Sequence, residues 1–409
     1  MQALIKPLQE LAEFEEIQKE KQKEAGVLQI SGCVNSQKTH MMYALGDGCK
    51  YRVIACSGES KARQVYEEYH MLDPETYFYP AKDFLFYQAD IRSKELQESR
   101  MTVVQAILEE KPLTVVVSFD AFMDALPVKG AMKDRVIRIE NGQTLDFDEI
   151  RKALTENGYD REEQVDGPGQ FAIRGGILDI YPLTGELPVR IELWGDEVDS
   201  IRSFDTDSQR SVQNLDEAVI YPADELPGRP GKRVSFLEYF PPEDTLVFLD
   251  EPTRLVEKGE AVEQEFVEAQ AKRVESGYEV SDDEMKLYET AEIVKRMNTY
   301  YCIGLSALDT HGNGFRFRNK FSINTKSVNP YNNSFEMLTR DLKRLKRNDY
   351  RVILLSGSRT RAKRLAEDLR DYNLSSYYSE EQDREVQPGE IMTAYGHVAE
   401  GYEYPMLKF

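Results

Sequence analysis

Residues 27–46 read VLQISGCVNSQKTHMMYALG: an apolar run from Val27 to Ile30, a polar turn, and a helical stretch from Lys38. Within it, Gly32-Cys33-Val34-Asn35-Ser36-Gln37-Lys38-Thr39 matches the phosphate-loop pattern GxxxxGK[ST] at every fixed position but one, between a strand and a helix, where such a loop belongs. Gln37 stands in the place of the second glycine. In a working loop, backbone N–H groups wrap the β-phosphate, the Lys reaches the β and γ oxygens, and the Thr hydroxyl holds Mg²⁺. A glycine ahead of the Lys allows close approach and open dihedrals, whereas Gln adds a Cβ and a long polar side chain. Gly32, Gln37, Lys38 and Thr39 therefore read as a lapsed nucleotide site. A weak residual site and a chance match in an unrelated turn are the competing readings of the same residues.

Downstream, strand patterns alternate with helical ones. Arg52 to Cys56 leads into a charged helix, Ser60 to Met71; Tyr77 to Tyr79 ends at Pro80; a long helix from about Ser93 to Glu110 precedes the β-branched run Leu113 to Val117. That order implies parallel βαβ units in a doubly wound sheet. Between about Arg135 and Pro222 the rhythm changes to short strands, ILDIY (177–181), VRIELW (189–194) and EVDSIRSF (197–204), joined by hairpin-type turns. A β-rich domain is inserted there. Near Phe248 the strand LVFLD restores the α/β character, and Gln264 to Arg296 reads as one or two Glu- and Lys-rich helices with a solvated face. From Asn313 to Arg370, fifteen Lys and Arg face five Asp and Glu, and the segment reads as helix, strand (Arg351 to Leu355), Ser/Gly turn and helix. The fold class is thus α/β: a degenerate phosphate-loop-type (RecA-like) parallel sheet, an inserted β-rich domain, and the start of a further α/β domain. The closing YEYPMLKF is an apolar strand-like run, and because domains rarely stop inside a strand the expectation is a fragment of a longer protein.

Composition limits the function. The 409 residues, 41% hydrophobic and 31% charged, suit a globular chain of two to four domains. With 52 Lys and Arg against 73 Asp and Glu, a net charge of -21, the chain is no general nucleic-acid coater. No apolar run approaches the roughly 20 residues that span a bilayer, and the amino end, MQALIKPLQELAEFEEIQKEKQKE, reads as one amphipathic helix rather than a signal peptide, so a cytoplasmic location is expected. Cys33, Cys49, Cys56 and Cys302 form no CxxC pair and cluster with none of the four histidines, which indicates neither a disulfide framework nor a zinc site. The acidic partner of the loop could only be Asp250-Glu251, after LVFLD. In helicase-type ATPases this dyad continues as DExH or DExD; here it runs DEPT, which is half a motif and more often a turn and helix start. No catalytic residue is assigned.

The degenerate loop, GPGQFAIRGGILDIYP at 167–182 and PVRIELWGDEVDSIRSFDTDSQRS at 188–211 together resemble the amino-terminal region of the transcription-repair coupling factor (Mfd) family, a region itself similar to the excision-repair subunit UvrB. The resemblance implies an α/β domain 1a over 1–134, a β-rich domain 2 over 135–223, a return segment 1b completing the first domain over 224–335, and a truncated domain 3 over 336–409. It implies a pseudo-ATPase that has kept the fold and lost hydrolysis, with no cofactor in this part of the chain. ATP and Mg²⁺ would serve the parent's carboxy-terminal translocase motor, and RNA polymerase and DNA would be engaged by domains absent here. The aromatic-rich hairpin with which UvrB clamps damaged DNA has no room in PAKDFLFYQADI, 80–91.

The same resemblance implies recognition rather than catalysis. Domain 2 would bind the damage sensor UvrA, with Arg161, Arg174 and Tyr181 at the matching positions, and would stay masked by docking onto the carboxy-terminal part of the parent. Arginine forks onto carboxylates and an exposed aromatic adds buried area, as anchors must; the alternation of ILDIY leaves Tyr181 free to point inward or outward. Two other functions compete. One is an ATP-binding, UvrB-like repair helicase fragment resting on Lys38, Thr39, Asp250 and Glu251; the other is a DNA-binding module using the basic helix from Arg340 to Arg347.

Overall fold

Seven strands form the central sheet, in the spatial order Phe317–Ser322, Gly26–Ser31, Tyr301–Ser306, Thr245–Asp250, Tyr51–Cys56, Leu113–Ser118, Thr76–Tyr79. All six neighbouring pairs are parallel. The computed structural model describes residues 2–21, 23–82, 94–225, 231–276, 287–332, 334–380 and 384–409.

Buried residues alternate along these strands, as period-two geometry requires of a sheet covered on both faces. Val27, Val53, Ala55, Val115, Val117, Val247 and Leu249 join one core; Leu28, Ile30, Ile54, Cys56, Val116, Leu246, Phe248 and Ile303 join the other. The first core is covered by the helices Lys94–Leu108, Pro252–Glu275 and Thr290–Met297, the second by Ala12–Lys21, Asn35–Leu45 and Glu59–His70. The doubly wound sheet expected from the sequence is present, and the residues after Thr245 supply three of its strands.

The inserted module is a six-stranded sheet in the order Ser211–Leu215, Glu197–Phe204, Val189–Trp194, Ile177–Tyr181, Gln170–Arg174, Asp160–Arg161. Its inner face, with Phe171, Leu178, Ile180, Ile191 and Ile201, merges into the first core of the large sheet. A buried ionic cluster ties Glu225, beyond the last strand of the module, to the α/β part. Arg100 donates from Nε to Glu225 Oε1 (2.8 Å), from Nη2 to Asp124 Oδ2 (2.7 Å) and from Nη1 to the Pro80 carbonyl (2.6 Å), and lies over the Tyr79 ring. Burial pushes the Glu225 carboxyl up, but the Arg100 and Lys82 charges prevail and hold it well below the usual range.

A third, three-stranded parallel sheet orders Val352–Ser356, Ile391–Tyr395, Ser376–Tyr378. Helices Phe335–Arg347 and Arg359–Asp371 pack on one face through Leu342, Leu365 and Leu369, while Ala3 packs on the other.

Four expectations change. The amino end is two helices, Gln2–Leu8 and Ala12–Lys21, not one, with the break following Pro7. The helix after the loop begins at Asn35, three residues ahead of Lys38, so the whole KT pair lies inside it. The charged region holds two helices among the described residues, within the one or two expected, but the first, Pro252–Glu275, starts ahead of Gln264, and the second is Thr290–Met297. The closing run is strand only at Tyr402–Glu403, paired with Lys326–Ser327, and then turns back as Tyr404 becomes fully buried. Most of PAKDFLFYQADI falls at 83–93, outside the described residues, and so does the 277–286 part of the Glu-rich region.

Candidate functional site

Parallel strands end together at one edge of the sheet, and in doubly wound folds that edge is where ligands sit. The register places Ser31 beside Ser306 and Asp250 beside Leu305, so the phosphate loop and the acidic pair arrive at the same edge. Gly32 has φ +80°, and a Cβ there would lie 1.9 Å from the Ile323 carbonyl oxygen; only glycine fits.

Three successive N–H groups at the start of the loop are already engaged. Gly32 N–H donates to Ala307 O (3.3 Å) and Cys33 N–H to Ser306 O (3.1 Å). Val34 N–H donates to Gln37 Oε1 (3.3 Å), as a glutamine at the third helical position does in a capping box. Gln37, 0% exposed, uses its other end as well, with Nε2 donating to Tyr404 Oη (2.9 Å). The substituted residue is therefore a structural link to the end of the chain.

Lys38 meets the acidic pair directly. Its Nζ lies 2.7 Å from Asp250 Oδ1 and 2.5 Å from Glu251 Oε1, in a nearly dry site. Burial alone would lower the ammonium, but the two carboxylates outweigh it and hold Lys38 above its ordinary range. Glu251 sits at φ +56° between the strand end and the helix that starts at Pro252, which turns its carboxylate back toward the loop.

Glu68 occupies the remaining side. Ser36 Oγ donates to its Oε1 (2.6 Å) and Thr39 Oγ1 to its Oε2 (2.8 Å), and Ala399 N–H adds a third bond (2.9 Å). The Thr39 hydroxyl that would ligate Mg²⁺ thus faces a carboxylate of its own chain. From Tyr404 a hydrogen-bond chain continues to His40 Nδ1 (3.3 Å), and His40 Nε2 reaches the Leu4 carbonyl (2.8 Å). The contact at Leu4 requires a hydrogen on Nε2, and in the neutral ring Nδ1 then accepts from the Tyr404 hydroxyl. Burial pushes its pKa down to about 4.

Sequence reading found the loop and the acidic pair but not Glu68 or Tyr404. A signal for Glu68 was available, since the buried stripe Ala62, Val65, Tyr69 of its helix includes it, and an acid on an apolar face needs a partner. Tyr404 carries no local signal. Among the described residues no group of three or more His, Cys, Asp and Glu is placed to hold a metal ion, and no helix is long and apolar enough to cross a membrane.

The outer face of the inserted sheet is built differently. Asp179, 0% exposed, accepts from Arg190 Nε (2.7 Å) and Nη2 (2.9 Å) and from Arg174 Nη2 (2.7 Å). The Arg174 side chain stays 45% exposed. Tyr181 is half-buried on the same face, beside Val165, Ala172 and Phe204, and donates to the Glu186 carbonyl (3.1 Å). Arg161 is exposed on the edge strand, in register with Phe171, whose ring enters the core; strand alternation therefore assigns Arg161 to the face opposite Arg174 and Tyr181. The structure unites two of the three sequence-chosen anchors and separates the third.

Fold and site define the class: a doubly wound α/β protein of phosphate-loop type carrying an inserted β module. Residues 137–226, nearly all of that module, match the family described as the UvrB interaction domain. The transcription-repair-coupling factor of Bacillus subtilis (strain 168) is 28% identical over 396 residues, covering 82% of this chain and 33% of the relative. That of Staphylococcus haemolyticus is 24% identical with the same coverage, and that of Staphylococcus aureus (strain MRSA252) is 35% identical over 146 residues, 36% of this chain and 12% of the relative. The chain is thus similar to transcription-repair-coupling factors and contains a segment that matches the UvrB interaction domain, and it spans about a third of the length of the first of these relatives.

Proposed function

We propose that this chain is a non-catalytic recruitment module of a transcription-repair coupling factor. It binds the nucleotide-excision-repair sensor UvrA through the module at 137–226 and brings it to lesion-stalled RNA polymerase. It also contributes to autoinhibition of the parent translocase by docking its partner surface onto the rest of the parent until the motor engages. Such masking is a population shift, in which the partner binds only the open form. In this reading the chain works in the cytoplasm, without nucleotide or metal of its own.

The observation that carries the non-catalytic half is the state of the loop. Lys38, Ser36, Thr39 and three successive N–H groups all have partners within the chain. A triphosphate would have to break each contact and leave Glu68, Asp250 and Glu251 facing its own negative charge. The recruitment half is supported by the family match and by Arg174, whose planar head is steadied through Asp179 yet open to a partner.

Two measurements test the pair of claims. Calorimetry of the chain with ATP and Mg²⁺ should give no heat of binding; micromolar affinity would restore the helicase-fragment reading. Pull-down with UvrA should succeed for the native chain and weaken roughly 30-fold for Arg174→Ala, the effect of removing an interface anchor. The melting temperature should stay nearly constant, since Arg190 still pairs with Asp179. Arg161→Ala, on the other face, should matter less; equal losses from both changes would mean that the partner wraps around the sheet edge.

A further inference from the structure

One large side chain of the β module has no packing role. Trp194, the only tryptophan of the chain, is 84% exposed. It closes the strand Val189–Trp194 just before the turn at Gly195-Asp196, and this tip is firmly held. Leu193 N–H donates to Gly176 O (2.8 Å), Leu145 N–H to Asp196 O (2.8 Å), and Val198 N–H to Gln143 O (2.9 Å), while Thr144 bridges Glu197. An indole on a rigid backbone has little backbone freedom to lose on binding, which is why fixed aromatics make efficient anchors.

Its position relative to the other anchors follows from the register. Leu193 packs against the core, so alternation sends Trp194 to the outer face, the side of Arg174 and Tyr181. Arg174, Ile177 and Glu192 stand side by side across three strands, which puts the strand of Trp194 about 10 Å from that of Arg174, two strand spacings away. Between them lies the turn at Gly175-Gly176. Gly175 has φ +60°, and a Cβ built there would meet nothing within 4 Å, so bare backbone is open to an approaching chain.

We infer that Trp194 is the aromatic anchor of the UvrA-binding surface, paired with Arg174 as its charged anchor across the open Gly175 turn. The inference rests on the UvrA reading above and specifies its chemistry. The facing patch on UvrA offers an apolar pocket for the indole and, two strands across, a carboxylate for the guanidinium. Arg174 engages only Nη2 with Asp179, leaving its remaining donors for that carboxylate. The family match at 137–226 includes Trp194, so the proposed surface is continuous with the region assigned to the partner.

A single tryptophan makes the test selective. The full chain is labelled with 5-fluorotryptophan, giving one ¹⁹F resonance, and titrated with unlabelled UvrA, which is silent. The resonance should shift on saturation, Trp194→Ala should weaken binding roughly 30-fold with an unchanged melting temperature, and Trp194→Phe should recover most of it. Complex formation with an unmoved resonance, or full affinity in Trp194→Ala, overturns the assignment while leaving UvrA recruitment intact. A native chain that binds no UvrA overturns both. A resonance that shifts with the concentration of the chain alone marks a self-association face and also overturns the assignment.

Discussion

The phosphate loop and the outer face of the inserted sheet are both rich in charge, yet they treat it in opposite ways. At the loop every ionic group is turned inward and matched: one buried ammonium, two carboxylates against it, a third carboxylate against two hydroxyls. On the sheet a single buried carboxylate, Asp179, steadies two arginines, and one of them keeps a largely open head. A group that must meet a partner cannot be satisfied from within, because the partner then gains nothing by arriving. On the proposed function, self-satisfaction is what a site without a ligand would show, and incomplete satisfaction what a docking face would show.

The largest effect should come from breaking the loop's ion pairs. Lys38→Ala leaves Asp250 buried without a countercharge, and removing one member of such a cluster costs about 3–5 kcal/mol. Urea unfolding should show that loss with little change in UvrA binding. Replacing all three charges, as Lys38→Met, Asp250→Asn and Glu251→Gln, should recover most of the stability, since a neutral cluster carries no desolvated charge. If Lys38→Ala is as stable as the native chain, the cluster is wetter than the structure indicates and the loop is less sealed than the sheet face.

Acid should separate the regions next. The folded pKa of His40, about 4, lies below its ordinary value of 6.5. Between these values the unfolded chain binds a proton that the folded chain refuses, so this contribution is complete above about pH 6.5 and lost as the pH falls toward 4. The linked loss is about 3 kcal/mol. Protonation puts a hydrogen on Nδ1, where the Tyr404 hydroxyl now donates, and so works against the same chain of bonds that holds Gln37. Comparing the pH dependence of stability for the native chain and for His40→Gln isolates the term, which should vanish in the variant. Glu225 adds a separate acid loss at lower pH, because its folded pKa is depressed and its contribution disappears only as the pH falls through the carboxylate range and below.

How much of this was readable beforehand differs between the two regions for a physical reason. The βαβ rhythm, the degenerate loop and Asp250-Glu251 are written in local periodicity and spacing, and the sheet and the strand end appear where those patterns put them, with the helix after the loop starting three residues early. What closes the loop is not local. Glu68 arrives from the next βα unit and Tyr404 from more than three hundred residues away, and no sequence period links either to Gln37. The same limit explains Arg161. It was grouped with Arg174 by family position, but side is set by pairing register, and only the strand ladder with Gln170–Phe171 reveals that it points the other way.

The smallest predicted effect is the one that best defines the comparison. Tyr404→Phe removes a hydroxyl that accepts from Gln37 and donates to His40, leaving two buried polar atoms unpaired at a cost of about 1–2 kcal/mol. Gln37→Gly restores the phosphate-loop pattern on paper. It should nevertheless leave ATP binding undetectable at millimolar nucleotide, because Lys38 remains locked by Asp250 and Glu251 and Thr39 by Glu68. Adding Glu68→Ala to Gln37→Gly frees both hydroxyls and removes the charge that a γ-phosphate would meet. If the double variant binds nucleotide and the single one does not, the seal lies in the Glu68 carboxylate rather than in the glutamine at position 37. Nucleotide binding by Gln37→Gly alone would show instead that the loop gives way easily, and that its inward bonds are far weaker than their geometry suggests.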